Sequence, residues 1–314
     1  MYRAITLTFA LLFAASAVPA QVLDGRLKAI AASKTITIAY RPDATPFSFA
    51  DGKQVIGFSI DLCKRVVSSI ERQLNVQGLQ VKWLPVTAQT RFDAVAKGQA
   101  DMECGSSTVT LSRLKQVDFS SYIFVESTGL LTTIASGARS LSDLSGKKIA
   151  VIAGTTNERA VKSQLDRRQI GATLVSFKTR DEALAALEEA KVDAFASDKL
   201  LLVGASGKAK DPKALTLLPD DLSFEPYGIV RSVADERAHR KRMCALGYRI
   251  FGAMRWGMLG DGHVSARDPE LTDHFWLLDW GVPFGEATVH RLVLVGPGGE
   301  VKDADGNSTG AVNT

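Results

Sequence analysis

Short apolar strands and amphipathic helical segments alternate along the chain in two rounds. In the first round, "KTITIAY" (34–40) alternates like a strand, and "GFSIDLCKRVVSSIERQL" (57–74) carries apolar residues at helical spacing. The strand "LQVKWLPV" (79–86), a helix in "TAQTRFDAVAKGQA" (87–100) and the strand "ADMECG" (100–105) follow. Strands that alternate with helices in this order predict a parallel sheet with helices packed on its faces.

The same pattern restarts in the second round. The segment "DLSGKKIAVIAGTTNERAVKSQL" (143–165) predicts a strand, a Gly-Thr-Thr turn and a helix, and residues 172–198 predict strand, helix and strand. Two extended apolar segments without helix signals, "GLLTTIAS" (129–136) and "YGIVRS" (227–232), join the two units. These segments are predicted to be two hinge strands.

The predicted fold class is therefore α/β, with two lobes that are connected by two hinge strands. Residues 21–133 and 228–314 are predicted to form a discontinuous first lobe, and residues 134–227 the second lobe. A single continuous sheet is the alternative, because chain length alone does not set the number of domains.

The first twenty residues have the features of a secretory signal peptide. Arg3 is followed by an apolar run from Ile5 to Ala15 and by small residues up to Ala20. The run is too short to span a bilayer, which disfavours a membrane anchor as the alternative. Cleavage after Ala20 lowers the formal net charge from +4 to +3, since Arg3 is the charged residue removed, and we expect an exported protein.

Composition and motif spacing predict neither a metal site, nor a cofactor, nor nucleic-acid binding. The chain has 314 residues, of which 46% are hydrophobic and 23% charged, enough for two compact domains. Its basic residues form no run beyond "HRKR" (239–242), and the four histidines lack metal-ligand spacing. Cys63, Cys104 and Cys244 allow one disulfide and one free thiol, and the sequence leaves the pairing open.

Candidate binding residues lie at the carboxyl ends of the predicted strands, where doubly wound sheets bind their ligands. Gly105 precedes Ser106, Ser107 and Thr108, and then "LSRLKQ" predicts a helix. Unpaired N–H groups at a helix start favour a carboxylate or phosphate, and the hydroxyls of Ser106 and Thr108 can add hydrogen bonds. Simple N-capping by either hydroxyl is the alternative.

Five further residues extend this cluster. Arg91 can form a bidentate pair with a carboxylate, or lie on the surface as a solvated charge. Thr156 can close on the same anion or help to cap its own helix, and Asp198 can bind an ammonium group or cap the next helix. Arg41 and Arg180 follow strands, and each can meet a second ligand carboxylate or be a surface charge. No catalytic or metal constellation accompanies these residues, so the sequence favours binding over chemistry.

The chain resembles the family 3 periplasmic solute-binding proteins of ABC importers, and within them the glutamate/aspartate-binding type. The resemblance runs from Leu27 to Arg231 through "YRPDATPFSF", "GFSIDLC", "VTAQTRFDAVAKGQADMECGSST", "LSGKKIAVIAGTTNE" and "FEPYG". It implies a bilobal periplasmic protein that closes on its ligand about a hinge and delivers it to an inner-membrane permease.

The resemblance also implies roles for the candidate residues in holding an amino acid. The residues assigned to the α-carboxylate are Arg91, Ser106, Thr108 and Thr156. Asp198 is assigned to the α-ammonium, and Arg41 to the side-chain carboxylate. The chain departs from the family at two of these sites: Arg180 stands where a histidine reaches the side-chain carboxylate, and Ala88 stands where a serine precedes the helix arginine.

The C-terminus departs further from the family. Members usually end in an aromatic helix and a proline-rich tail, whereas this chain ends in a stretch dominated by glycine and aspartate. That composition predicts a loop or disorder over about the last sixty residues.

The predicted function is a monomeric periplasmic substrate-binding protein, not an enzyme, that binds glutamate or aspartate in the interlobe cleft for an ABC importer. The alternatives are a binding protein for another polar amino acid and a receptor-coupled sensor. A periplasmic dehydratase of the arogenate or prephenate type, built on the same fold, is the enzyme alternative. It requires a general acid, and Glu103 is the nearby candidate.

Overall fold

The structure, a computed structural model, describes residues 25–254, 263–302 and 308–311. The predicted signal peptide, residues 1–20, lies outside the described residues. In the first part of the chain, strands alternate with helices as the spacing of apolar positions changes. The elements are α1 (Gly25–Ser33), β1 (Thr35–Tyr40), β2 (Asp43–Ala44), β3 (Ser48–Asp51), β4 (Gln54–Ile56), α2 (Phe58–Leu74), β5 (Gln80–Pro85), α3 (Arg91–Ala96), β6 (Met102–Glu103), β7 (Asp118–Phe119) and β8 (Phe124–Glu126).

The rest of the chain repeats the alternation and then ends in strands. The elements that complete the two α/β units are β9 (Thr128–Thr133), β10 (Lys148–Ile152), α4 (Thr156–Arg168), β11 (Thr173–Phe177), α5 (Arg180–Glu188), β12 (Ala194–Asp198), α6 (Lys199–Ser206), β13 (Leu215–Leu217), β14 (Glu225–Tyr227) and β15 (Val230–Arg231). The C-terminal elements are α7 (Val233–Ala253), β16 (Ala266–Arg267), β17 (Phe275–Leu278), β18 (Leu292–Val295), β19 (Glu300–Lys302) and β20 (Ser308–Ala311).

Two five-stranded sheets confirm the predicted α/β class. The first has the order β5-β1-β6-β15-β7 and the second the order β11-β10-β12-β9-β13. In each, the central strands pair in parallel, β1 with β5 and β6, and β10 with β11 and β12. Parallel pairing brings the carboxyl ends of neighbouring strands to one edge, so the loops that follow them lie together.

A separate antiparallel ribbon, β8 with β14, connects the two sheets. The predicted outgoing hinge segment, residues 129–136, lies outside this ribbon, because residues 128–133 form β9 inside the second sheet. Buried sheet strands and connecting strands are both extended and apolar, so the sequence pattern does not distinguish them. The pairing of β9 places residues 128–133 with the second unit, and the division into two lobes stays a proposal.

The C-terminal residues that the structure describes are folded, so the prediction of a loop or disorder is wrong there. Strands β16 to β20 form an antiparallel sheet of their own, which packs on α7. Trp276 is only 1% exposed, and its indole N–H donates to Asp268 at 2.7 Å. Alternating apolar residues in "FWLL" and "LVLV" form this core with Cys244 and Tyr248, whereas five of the described glycines lie between the strands, at positions 281, 285, 296, 298 and 299.

The structure also settles the cysteine pairing that the sequence left open. Cys63 in α2 is bonded to Cys104 just after β6, and Cys244 is a buried free thiol. The bond ties a helix to the strand end that carries Gly105 and Ser106. In the described parts of the chain, no helix has the length and apolar character that crossing a membrane requires.

Candidate functional site

The predicted binding residues come together between the two sheets. Thr108 Oγ1 lies 3.3 Å from Thr156 Oγ1, and the Gln89 side chain donates to the Ala153 carbonyl at 2.8 Å. Thr156 is half-buried. The residues that are no more than 4% exposed are Arg41, Arg91, Ser106, Thr108, Arg180 and Asp198. The alternative of a solvated surface charge is therefore wrong for all three arginines.

Arg91 is a buried cation at the start of α3. It is 3% exposed, its guanidinium lies 4.7 Å from the centre of the Phe92 ring, and it forms no ion pair with any described residue. Its Nε and the hydroxyl of Ser106 are both buried without a hydrogen-bond partner among the described residues. Burial, followed by the nearby Arg113, lowers the Arg91 pKa to about 10, so the group remains charged at neutral pH. This arrangement suits an anion that accepts hydrogen bonds from both side chains.

The predicted helix after Thr108 is wrong. The chain stays extended there: Thr108 forms a β-bridge with Tyr227, and "LSRLKQ" contributes only a short 3₁₀ turn at Arg113–Lys115. Thr108, Val109 and Thr110 are all β-branched, which disfavours a helix, and β14 offers them backbone partners, since the Val109 N–H donates to Pro226 at 2.7 Å. Ser106 and Thr108 therefore belong to an extended loop, and neither caps a helix.

The carboxylate of Glu225 connects the two threonines from the ribbon. Its Oε2 accepts hydrogen bonds from Thr108 Oγ1 and from Thr156 Oγ1, both at 2.6 Å. Its Oε1 accepts a hydrogen bond from Ser223 Oγ, also at 2.6 Å. A hydroxyl has a single proton, so the two threonines present lone pairs to their other neighbours. This polarity is opposite to the predicted role, in which both threonines donate to a carboxylate of the ligand. The capping alternative for Thr156 is also not observed, because Thr155 is the residue that caps α4.

Asp198 is a buried carboxylate that is not used as a helix cap. It stands at the N-cap position of α6 but makes no capping hydrogen bond, so the capping alternative is wrong. Asn157 Nδ2 donates to its Oδ1 at 3.1 Å. Burial, and then the Glu225 carboxylate, raise the Asp198 pKa to about 6. The group is therefore ionised at neutral pH and suits a cation that enters between the sheets.

Arg41 and Arg180 share a carboxylate that the sequence did not single out. Asp43 Oδ1 accepts from Arg41 Nε at 3.1 Å and Nη2 at 2.7 Å. Asp43 Oδ2 accepts the Arg180 backbone N–H at 3.2 Å and lies 3.4 Å from Arg180 Nη1. The Arg180 Nε donates to Ser197 Oγ at 3.2 Å. The two arginines predicted to meet the ligand side chain are thus brought together, one from each α/β unit.

Glu103 is a buried carboxyl near this cluster, and Gly105 leaves room for its side chain. It is fully buried, and its Oε2 accepts a hydrogen bond from Ser107 Oγ at 2.7 Å. A Cβ atom on Gly105 would lie 2.2 Å from Glu103 Oε1, so a larger residue at this position would displace the Glu103 carboxylate. Burial raises the Glu103 pKa, against the effect of Arg91. Glu103 lies close enough to Arg91 to interact with it electrostatically.

Sequence reasoning missed four residues of this site. Arg113 is 8% exposed, stacks 4.8 Å from the Phe92 ring and donates to the Thr108 carbonyl at 2.7 Å. The other three are Asp43, Asn157 and Glu225. Asp43 and Glu225 lie inside the quoted motifs "YRPDATPFSF" and "FEPYG", which was the available signal, but the sequence alone does not show that these side chains point inward. Among the described residues, no group of three or more His, Cys, Asp or Glu side chains could hold a metal ion.

Comparison with known proteins identifies the family. Residues 36–273 match the model of the bacterial extracellular solute-binding proteins, family 3. The L-glutamate/L-aspartate-binding protein of Pseudomonas aeruginosa is 38% identical over 213 residues, 67% of this chain and 70% of that protein. The glutamate/aspartate import solute-binding protein of Salmonella typhimurium is 36% identical over 203 residues, 64% of this chain and 67% of that protein.

A solved structure and a second family match complete the comparison. The arginine-bound form of truncated ArgBP from T. maritima has a TM-score of 0.59 at 25% identity and covers 67% of this chain and 93% of that one. Residues 241–313 also match the model of the class II aldolase and adducin N-terminal domain, so the C-terminal part of this chain is similar to a second family. Since the first family model spans more than half of the chain, this protein belongs to the bacterial extracellular solute-binding proteins, family 3.

Proposed function

We propose that this protein is the substrate-binding component of an ABC importer for an acidic amino acid, glutamate or aspartate. The observation that carries the proposal is the buried Arg91, which lacks an ion pair among the described residues and lies close enough to Asp198 to interact with it electrostatically. An α-amino acid has the matching pair of charges. The names of the two relatives support the choice of ligand.

The polarity of the site suggests how the amino acid is oriented. The α-carboxylate accepts hydrogen bonds from Arg91 and from the Ser106 hydroxyl, both of which have buried donors without partners. The α-ammonium donates to Asp198 and to the hydroxyl lone pairs of Thr108 and Thr156, since both hydroxyls donate their own protons to Glu225. This assignment moves both threonines from the carboxylate to the ammonium.

The side chain of the ligand lies, in this proposal, at Arg41 and Arg180. Each guanidinium has a buried Nη1 atom without a hydrogen-bond partner among the described residues. Arg41 follows β1 in the first unit and Arg180 begins α5 in the second, so a side-chain carboxylate that reaches both connects the two lobes. Ligand contacts of this kind exist fully only in the closed form, which is why binding shifts the population toward closure.

We propose that the two sheets are lobes that open about the ribbon of β8 and β14, and that the loaded protein delivers its ligand to a permease in the inner membrane. The periplasm is the compartment where such a partner is reached. We also propose binding without turnover. The carboxyl that a dehydratase would need, Glu103, is fully buried and held by Ser107, which leaves it no access to a leaving group.

A titration of purified protein against single amino acids tests this function. Isothermal calorimetry is expected to show binding of L-glutamate or L-aspartate at least tenfold tighter than binding of L-glutamine, L-asparagine or L-arginine, because the amide or guanidinium replaces the charge that Arg41 and Arg180 meet. The melting temperature should rise with the same ligands, since they bind the folded state. Preferential binding of arginine or of a neutral amino acid would contradict the proposal.

Affinity is expected to fall in acid because of Asp198. Its folded-state pKa of about 6 lies above the ordinary value of 3.8, so the carboxylate that meets the α-ammonium is lost as the pH drops through 6. If only the ionised form binds, calorimetry at pH 5 should give an affinity about tenfold below that at pH 8.

The matched control for this pH dependence is Asp198→Asn, which should bind weakly at every pH and lose the acid dependence. In the unliganded wild type, the raised pKa of Asp198 makes a contribution to stability that falls as the pH rises. Ionisation of this buried group between pH 4 and 7 lowers the contribution of Asp198 to the free energy of unfolding. A wild-type affinity that is constant between pH 5 and 8 would exclude Asp198 from ammonium binding.

A further inference from the structure

Asp43 occupies the space between the two arginines that we assign to the side chain of the ligand. Its Oδ1 bonds Arg41 through two nitrogen atoms, at 3.1 and 2.7 Å. Its Oδ2 accepts the backbone N–H of Arg180 at 3.2 Å and lies 3.4 Å from the guanidinium of that residue. Only 10% of the Asp43 side chain is exposed. This subsite therefore contains a carboxylate of the protein itself.

The contact with α5 crosses from one sheet unit to the other. Arg180 is the first residue of α5, after the N-cap Thr179, so its backbone N–H is one of the helix donors without an intrahelical partner. Asp43 satisfies this donor from the first unit. A carboxylate at a helix N-terminus and beside two guanidinium groups is stabilised in its ionised form, and the Asp43 pKa is accordingly well below its usual range although burial opposes the shift.

A count of charges defines what the subsite can still accept. Arg41 and Arg180 contribute two positive charges and Asp43 one negative charge, which leaves a net charge of +1 for these three side chains. The arginines are almost completely buried, so solvent screens this balance weakly. Arg41 Nη1 is buried without a hydrogen-bond partner among the described residues, and Arg180 Nη1 also lacks a hydrogen bond there, although it lies 3.4 Å from Asp43 Oδ2. The donors and the charge that remain match one further carboxylate.

We propose that Asp43 is a specificity-determining residue, a resident counter-ion that reduces the charge of the side-chain subsite so that it holds a ligand side chain with a single negative charge. This inference rests on the proposed function. It goes beyond that function in naming the residue that sets the strength of discrimination between an acidic side chain and its amide.

The test compares L-glutamate with L-glutamine by calorimetry in the wild type and in Asp43→Asn. Asparagine has nearly the same shape and can still accept hydrogen bonds, but it removes the negative charge. The ratio of the glutamine Kd to the glutamate Kd is expected to rise by about tenfold or more, because a charged ligand side chain then meets two uncompensated guanidinium groups. Asp61→Asn is the matched control: it makes the same change of charge at a side chain that is 69% exposed, and its ratio should stay at the wild-type value.

A double variant separates charge from structure. Asp43→Asn combined with Arg180→Gln restores the original net charge but also removes one of the two arginines assigned to the ligand, so its ratio should fall well below that of Asp43→Asn alone. If Asp43 acts only through structure, Asp43→Asn weakens binding of glutamate and glutamine alike, and its ratio stays at the wild-type value. Asp43→Ser, a second neutral variant, serves the same comparison if Asp43→Asn fails to fold by circular dichroism.

The outcomes distinguish this inference from the function on which it rests. If the wild type binds neither glutamate nor aspartate, the proposed function is wrong and the role of Asp43 falls with it. If the wild type binds glutamate but the ratio is unchanged or lower in the folded neutral variants, the proposed function stands and the role of Asp43 is refuted.

Discussion

Replacement of Arg91 by alanine is expected to weaken binding of glutamate by about 2–5 kcal/mol, which abolishes measurable binding at ordinary concentrations. Arg91 is a buried cation that lacks an ion pair among the described residues, and we assign to it the bidentate bond with the α-carboxylate. Without it, a desolvated ligand carboxylate keeps only the Ser106 hydroxyl as a side-chain donor. Isothermal calorimetry with the purified variant measures the loss directly.

Two further variants make this result specific. Arg91→Lys keeps the charge but cannot form the bidentate pair, so its affinity should lie between those of the wild type and Arg91→Ala. Arg65→Ala removes an exposed arginine from α2 and should bind like the wild type. If Arg91→Ala binds glutamate with nearly wild-type affinity, the assignment of the α-carboxylate is wrong.

Loss of the disulfide is expected to have the largest effect on stability. The bond joins Cys63 to Cys104 across 41 residues of sequence, and a loop of that size corresponds to about 4 kcal/mol of unfolding free energy when chain entropy dominates. The double variant Cys63→Ser/Cys104→Ser should lose about this amount in a urea titration. Because Cys104 is directly followed by Gly105 and Ser106, a weaker affinity for glutamate should accompany the loss.

The free thiol provides the control for the disulfide. Cys244→Ser changes a buried cysteine in the C-terminal unit without opening a covalent loop, and its Oγ can replace the thiol as a donor to the Val264 carbonyl. Its destabilisation should be clearly smaller and its affinity unchanged. A loss of less than about 1 kcal/mol in the double cysteine variant would show that the bond contributes little to stability.

The parallel sheets explain why much of the site was predictable. Arg91, Ser106 and Asp198 all lie in or just after segments where a predicted strand ends, and parallel strands bring such ends to the same edge. Hydrophobic periodicity alone establishes this arrangement. The assignment of both Arg41 and Arg180 to the side-chain carboxylate came from the family resemblance, and the structure brings the two arginines to a shared carboxylate.

The polarity of the site was not predictable from the same pattern. Whether a threonine donates or accepts depends on its partner, and Glu225 reaches Thr108 and Thr156 from a ribbon that is distant from both in sequence. The inward direction of Asp43 likewise depends on how the loop after β1 packs. Sequence patterns describe which face of an element is buried, but they do not describe where an irregular segment directs its side chains.

The C-terminal sheet of β16 to β20, with α7, shows another limit of structure prediction from sequence. Its glycines and aspartates favour loops by composition, yet short apolar runs around Trp276 and Leu294 are sufficient for an antiparallel sheet that packs on α7. The family resemblance seen in the sequence ends near residue 231 and gave no guidance there, and residues 241–313 match a different family model.

The most direct measurement of the central claim is a crystal structure of the protein with bound L-glutamate. We expect the α-carboxylate within about 3 Å of the Arg91 guanidinium, the α-ammonium at Asp198, and the ligand between the two sheets. A structure in which glutamate binds elsewhere, or in which Arg91 makes no contact with it, would contradict the account.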